Sequence, residues 1–249
     1  MRQVIEELTE RLTHGPLHFT LIDPDKSSGE RAAHIARGAV ELGSDVILLG
    51  GSTGISPDRI RDVARAVKAV VPVPVIIFPE GVSSLSAEAD AVLFMSLLNS
   101  RNVDLVIRAQ ARAALHVREL GIQPIPLGYL VVAPGMRVGE VGQVDAVARA
   151  DFVGAQGYAL AAEYLGMRFV YLEAGSGAAV PVPPEMVHAV RSVLSVPLIV
   201  GGGIRTGGDA RSLLGAGGQV LVTGTVTEEE GLGEGFRSIL AEVRRARRE

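Results

Sequence analysis

The sequence predicts a modified (β/α)8 TIM barrel, an α/β fold, with its third helix missing or vestigial. Three observations carry this. The chain is 249 residues long, a length at which such barrels form one domain. Eight short apolar runs recur along it, nearly every one followed by a segment with helical spacing. Glycine-rich turns follow the last two runs. A doubly wound sheet also holds eight parallel strands, but it rarely ends its last two in glycine-rich turns.

The first run, LHFTLI (17–22), is followed by ERAAHIARGAVEL (30–42), apolar at three- and four-residue spacing. DVILLG (45–50) precedes a helix over 57–70, with Ser56 as N-cap and Pro57 in its first turn. VPVIIF (73–78) and DAVLFMS (90–96) are the third and fourth runs. Only about GVSSLSAEA separates them, whereas a parallel crossover usually takes about a dozen residues or more. The barrel wall is therefore expected to be thin there. A long amphipathic helix is expected over 103–120, ended by Gly121. A fifth strand lies within 122–132, and helices are expected at about 143–150 and 155–166. MRFVYLEA (167–174) is the sixth run, with a helix from about Pro184 to Leu194. VPLIVGGG (196–203) precedes a helix capped by Thr206 or Asp209. QVLVTGT (219–225) precedes a terminal helix from about Glu229. With no linker, repeat or low-complexity segment, residues 1–249 read as one domain.

Composition narrows the function. There is no cysteine, which excludes disulfides, thiolate metal sites and cysteine nucleophiles. Tryptophan is absent, aromatics are 4% and the formal net charge is −4, so neither a stacking platform nor a basic face for nucleic acid is expected. Mean hydropathy is +0.31, yet the longest charge-free stretch, Gly121 to Met136, is too short for a span and holds three prolines and three glycines. Strands buried on both faces explain the hydropathy. The opening MRQVIEELTERL has no apolar signal core. The expectation is a cytoplasmic protein that handles something small. The basic end, RRARRE, reads as a solvated helix end or as a surface for transient contact with anionic lipid.

In these barrels the active site lies at the C-terminal ends of the strands. Gly202, Gly203, Gly224 and Thr225 end the seventh and eighth strands, where backbone N–H groups commonly hold phosphate. The same glycines would serve tight turns. Arg205 would assist them or face solvent. At the sixth strand end, Glu173 would act as a hydroxyl-activating base or cap a loop. Ser176 and the following N–H groups would hold more of a phosphate. Tyr171 shares a strand face with Glu173 and reads as a substrate contact or a core tyrosine. Asp23 and Asp25 lie in Asp23-Pro24-Asp25-Lys26, which is either a turn or one side of a Mg²⁺ site bridging to an anionic substrate. Ser52 would add a hydroxyl ligand. The five histidines are scattered and read as surface or packing residues.

Together these residues resemble the geranylgeranylglyceryl phosphate synthase family, including its heptaprenylglyceryl phosphate synthase relatives. The matching pieces are LIDPDK (21–26), GGS (50–52), SLLNSRN (96–102), YLEAGSGA (171–178), GGGIR (201–205) and GT (224–225). The resemblance runs in order from about Leu17 to Thr225, and YLEAGSG with GGGIR is its specific part. It implies a barrel lacking the third helix and a Mg²⁺-dependent prenyltransferase of lipid biosynthesis. Such an enzyme joins the 3-hydroxyl of sn-glycerol 1-phosphate to a long prenyl diphosphate, geranylgeranyl diphosphate above all, and releases diphosphate. Asp23 and Ser52 would bind Mg²⁺. Tyr171, Leu172, Glu173, Ala174, Gly175, Ser176 and Gly177 would line the glycerol phosphate, with Gly202, Gly203, Gly224 and Thr225 around its phosphate. Glu173 would be the base, with Tyr171 beside it. Shorter bacterial relatives carry a lysine just before the first-strand aspartate; Leu21 stands there, and the form is similar to the family's second group. The family implies a homo-oligomer, dimer or hexamer. The prenyl tail is expected along Val82–Leu85 and Val92–Leu98. Two rivals are a phosphosugar isomerase of the histidine-biosynthesis barrel type, which would want an acid at the fifth strand end, and a non-catalytic phosphoglycerol-binding module. A flavin barrel is a further alternative.

Overall fold

Eight parallel strands close into a barrel in sequence order, with β1 pairing both β2 and β8. This computed structural model describes residues 4–51 and 56–248. The strands are β1 (Leu17–Ile22), β2 (Val46–Leu49), β3 (Val75–Ile77), β4 (Ala91–Leu97), β5 (Gln123–Val131), β6 (Phe169–Glu173), β7 (Leu198–Gly201) and β8 (Val220–Thr223). Around them run α1 (Val4–Leu12), α2 (Gly29–Glu41), α3 (Pro57–Lys68), α4 (Ala109–Leu120), α5 (Met136–Val141), α6 (Phe152–Tyr164), α7 (Pro184–Arg191), α8 (Gly207–Gly215), α9 (Thr225–Glu230) and α10 (Glu234–Ala246).

The strands are apolar on both faces because each face has its own core. Leu17, Phe19, Val46, Leu48, Ile76, Ile125, Leu127 and Phe169 fill the inside. Alternate residues such as Ile22, Ile47, Leu49, Val170 and Leu172 meet the helix layer. At the lower end, Val4, Ile5 and Leu8 of α1 pack into the inner cluster and close it. Asp45, 2% exposed, accepts from Arg11 in the last turn of α1 and from Arg247 just past α10, tying both helices to the barrel floor.

Between β3 and β4 there is one 3₁₀ turn, Val82–Ser84, so the third helix is vestigial as the short crossover predicts. Three expectations are corrected. Residues 143–150 are not helical: Val144 and Val147 bridge to Ser100 and Val132, and Val147 exchanges backbone hydrogen bonds with Val131 and Ala133. The helix of that region is α5, and α6 begins at Phe152. The stretch 103–120 is not one uniform helix. Its first part, Asp104–Arg108, is a π turn whose carbonyls take side-chain donors: Ser96 Oγ to Val106 (2.7 Å) and Gln110 Nε2 to Leu105 (3.0 Å). The terminal helix is split into α9 and α10 at Gly231, which has φ +63°.

Candidate active site

β6 carries Tyr171 and Glu173 two residues apart, so both side chains point toward the barrel mouth from its inner face. Glu173 is 6% exposed. Its Oε1 accepts the N–H of Gly175 at 2.6 Å, and the hydroxyls of Tyr171 and Tyr129 also donate to the carboxylate. Burial raises the Glu173 pKa above the ordinary carboxylate value, and these three hydrogen bonds pull against it. Burial, followed by the charge of Glu173, keeps both phenols well above their ordinary pKa, so they stay protonated donors.

Tyr129 of β5 lies opposite Tyr171 in register. Their rings meet edge to face at 4.9 Å, and Phe78 sits edge-on to both at 5.7 and 6.2 Å. The result is a buried, hydrogen-bonded carboxylate on an aromatic floor, a setting suited to a general base.

The glycines after β7 have a packing reason that sequence reading did not supply. A Cβ on Gly201 would strike the Tyr171 hydroxyl, and one on Gly202 would strike Glu173 Oε1 and lie 2.7 Å from the Gly175 nitrogen. Gly202 and Gly203 also have φ of +80° and +71°, conformations that side chains disfavour. Ser176 Oγ is 3.1 Å from Thr225 Oγ1, which accepts the Gly177 N–H at 3.2 Å. The ends of β6, β7 and β8 thus bring Tyr171, Glu173, Gly175, Ser176, Gly177, Gly202, Gly203, Gly224 and Thr225 to one part of the mouth. Leu172 and Ala174 bury their side chains in the outer cluster, leaving backbone alone for any ligand. Arg205 pairs with Glu229 at 2.6 Å.

Asp23, 7% exposed, follows β1. Its Oδ1 accepts the Asp25 N–H at 2.9 Å. Its backbone carbonyl accepts from Lys26 and Ser27, so this stretch is indeed a turn. A Cβ on Gly51 would fall 2.6 Å from Asp23 Oδ1, so only glycine leaves the carboxylate its place. Lys26 Nζ lies 2.7 Å from Glu228 Oε2 and 3.7 Å from Asp23 Oδ2; hydrogen bonding to Glu228 first of all raises the lysine's pKa. Ser52, the other expected ligand, lies outside the described residues. Among the described residues no group of three or more His, Cys, Asp or Glu could hold a metal. A single carboxylate suits Mg²⁺, which takes its remaining ligands from water and substrate phosphates, and does not suit structural zinc.

Sequence reading missed Tyr129, Phe78 and Glu228. Tyr129 had a usable signal, since it falls on the inner parity of its strand, beside the sixth-strand tyrosine. Glu228 had none, because its role depends on how the last loop folds back.

The chain matches the PcrB family over residues 6–243. It is 49% identical to the geranylgeranylglyceryl phosphate synthase of Thermococcus kodakarensis, covering 95% of this chain and 94% of that one. It is 48% identical to the synthase of the same name from Pyrococcus horikoshii, covering 97% and 95%. The crystal structure of (S)-3-O-geranylgeranylglyceryl phosphate synthase from Thermoplasma acidophilum, in complex with its substrate sn-glycerol-1-phosphate, superimposes with a TM-score of 0.95 at 41% identity, covering 98% of this chain and 100% of that one.

Proposed function

The chain belongs to the PcrB family, and from that premise we propose that it joins the 3-hydroxyl of sn-glycerol 1-phosphate to C1 of a long prenyl diphosphate in ether phospholipid biosynthesis. The observation that carries this reading is Glu173, a buried carboxylate oriented by Gly175, Tyr171 and Tyr129 above the aromatic floor.

Glu173 accepts the hydroxyl proton as the oxygen bonds to C1. The C1–O bond to diphosphate breaks and its electron pair leaves with the diphosphate. Allylic delocalisation eases that departure. The glycerol phosphate would lie along Tyr171 to Gly177, its phosphate against Gly202, Gly203, Gly224 and Thr225. Asp23 would hold Mg²⁺, which when bound supplies charge neutralisation for the leaving group. Arg59 Nε holds the loop after β1 by the Pro24 carbonyl at 2.7 Å, and Lys26 Nζ lies 2.7 Å from Glu228 of α9.

Geranylgeranyl diphosphate is the proposed donor. Its tail would run along the thin wall, where Val82 is exposed and Phe94 and Met95 are half-buried. A homo-oligomer, dimer or hexamer, is supported by the apolar exterior of α6 and its neighbourhood, where Val153, Tyr164 and Leu165 are more than three-quarters exposed. No helix among the described residues is long and apolar enough to cross a membrane. We place the enzyme in the cytoplasm, touching the lipid surface only transiently. The isomerase reading loses support because the end of β5 presents Tyr129 in place of an acid.

Incubation with labelled glycerol 1-phosphate, Mg²⁺ and prenyl diphosphates of graded length tests the proposal. Label should pass into an ether lipid, fastest with the geranylgeranyl donor. Folded protein that transfers none with any donor would overturn it.

A further inference from the structure

Lys26 stands on a fixed base and has an exposed head. Arg59 donates to the carbonyl of Pro24 at 2.7 Å and of Ser27 at 3.5 Å, holding the turn on both sides of the lysine. The Lys26 side chain itself is 57% exposed, so its pairing with Glu228 is of the weak, exchangeable surface kind. Leu21, Asp23, Lys26, Arg31, Thr227 and Glu228 border a cavity of about 70 Å³ between β1, α2 and α9. Two carboxylates, Asp23 and Glu228, border this corner of the mouth. A multiply charged anion arriving there would be repelled unless cations faced it; Arg31 and Lys26 line the cavity, and Lys26 is the one that pairs with both Asp23 and Glu228. A cation taken up at Asp23 would compete with Lys26 for that carboxylate, freeing the ammonium.

We propose that Lys26 is a diphosphate-binding residue, parked on Glu228 while no diphosphate is present, and that Glu228 competes with diphosphate for it and so speeds product release. This rests on the prenyltransferase reading above and adds to it a residue pair that sets leaving-group affinity. Because Glu228 sits on α9, three residues after Thr225 at that helix's start, the pair also joins the two proposed substrate regions through one short helix.

Calorimetric titration with inorganic diphosphate plus Mg²⁺, and separately with glycerol 1-phosphate, tests the pair. Lys26→Met should bind diphosphate about tenfold or more weakly, the loss of one charge-assisted hydrogen bond, and glycerol 1-phosphate unchanged. Lys26→Arg should recover part of the loss. Glu228→Gln should bind diphosphate a few-fold more tightly and release it more slowly. The proposal is overturned if Lys26→Met binds diphosphate as the unaltered protein does, or loses both ligands equally. It is equally overturned if Glu228→Gln weakens diphosphate binding, which would make the pair a loop clamp. Failure of the unaltered protein to form any ether would instead defeat the prenyltransferase reading; ether formation with an indifferent Lys26→Met defeats the lysine's role alone.

Discussion

The Tyr171 hydroxyl occupies the space where a side chain on Gly201 would begin. The next residue repeats the relationship, since Glu173 lies across Gly202. Two polar groups of β6 therefore rest on the bare backbone of β7, and the glycines there set where the Tyr171 hydroxyl and the Glu173 carboxylate lie.

Gly201→Ala and Gly202→Ala should each displace the side chain above them. A shift of about 1 Å at a reacting group costs on the order of 10²-fold in rate. Gly202→Ala should also cost about 1 kcal/mol of stability at its positive φ. Steady-state kinetics and urea unfolding on the same samples separate the two effects.

Glu173→Gln should reduce turnover by about 10²-fold or more if the carboxylate is the base. The rate should rise with pH as Glu173 loses its proton, at a pH above the ordinary carboxylate range because burial raises its pKa. The Tyr129 and Tyr171 hydroxyls favour the charged form, so Tyr129→Phe or Tyr171→Phe should move this acid limb to higher pH. A pH–rate profile checks the direction.

Chelation of divalent cations should stop turnover, and Mg²⁺ should restore it. Asp23→Asn should raise the Mg²⁺ concentration needed for half-maximal rate. An unchanged Mg²⁺ titration would remove Asp23 from the metal site.

His18 is a packing residue, as expected from the scattered histidines. It is wholly buried between Ser44 and Thr223, at 3.2 and 3.0 Å from their hydroxyls, and burial lowers its pKa from 6.5 to about 3. The unfolded chain takes up a proton at this residue below about pH 6.5, while the folded chain resists it to about pH 3. Stability from this group is therefore intact above the unfolded pKa and falls as pH drops through that window, by about 5 kcal/mol at most. His18→Asn should flatten this part of the pH dependence of the urea midpoint.

Asp45 is buried, accepts from Arg11 and Arg247, and takes the His18 N–H at 2.8 Å. Asp45→Asn breaks the pairing of both arginines and should cost roughly 3–5 kcal/mol. Hydrogen exchange should quicken first in α1 and α10.

The strands were legible because a parallel barrel buries both faces: LHFTLI coincides with β1, and the other runs bracket their strands, save that β4 runs one residue past its run to Leu97. The missing third helix was legible from the shortness of the crossover between the third and fourth runs, which holds only the 3₁₀ turn Val82–Ser84. The stretch 143–150 was not, because Val144 and Val147 satisfy the backbone through partners distant in sequence, Ser100 and Val132. At the site, strand-end position exposed Glu173, Tyr171 and Asp23. Tyr129 was within reach of strand parity, but its bond to Glu173 and the contacts of Phe78 depend on how neighbouring strands align. Asn99, within the SLLNSRN piece, turned out to bind the backbone of Val131 and Asp145 and so fixes a loop.

The seal that α1 makes with Val4, Ile5 and Leu8 turns the barrel into a cul-de-sac. Access to Glu173 is left to the mouth and its flank, so in the proposed reaction a finished lipid and its discarded diphosphate would have to clear the doorway before the next pair of reactants could enter.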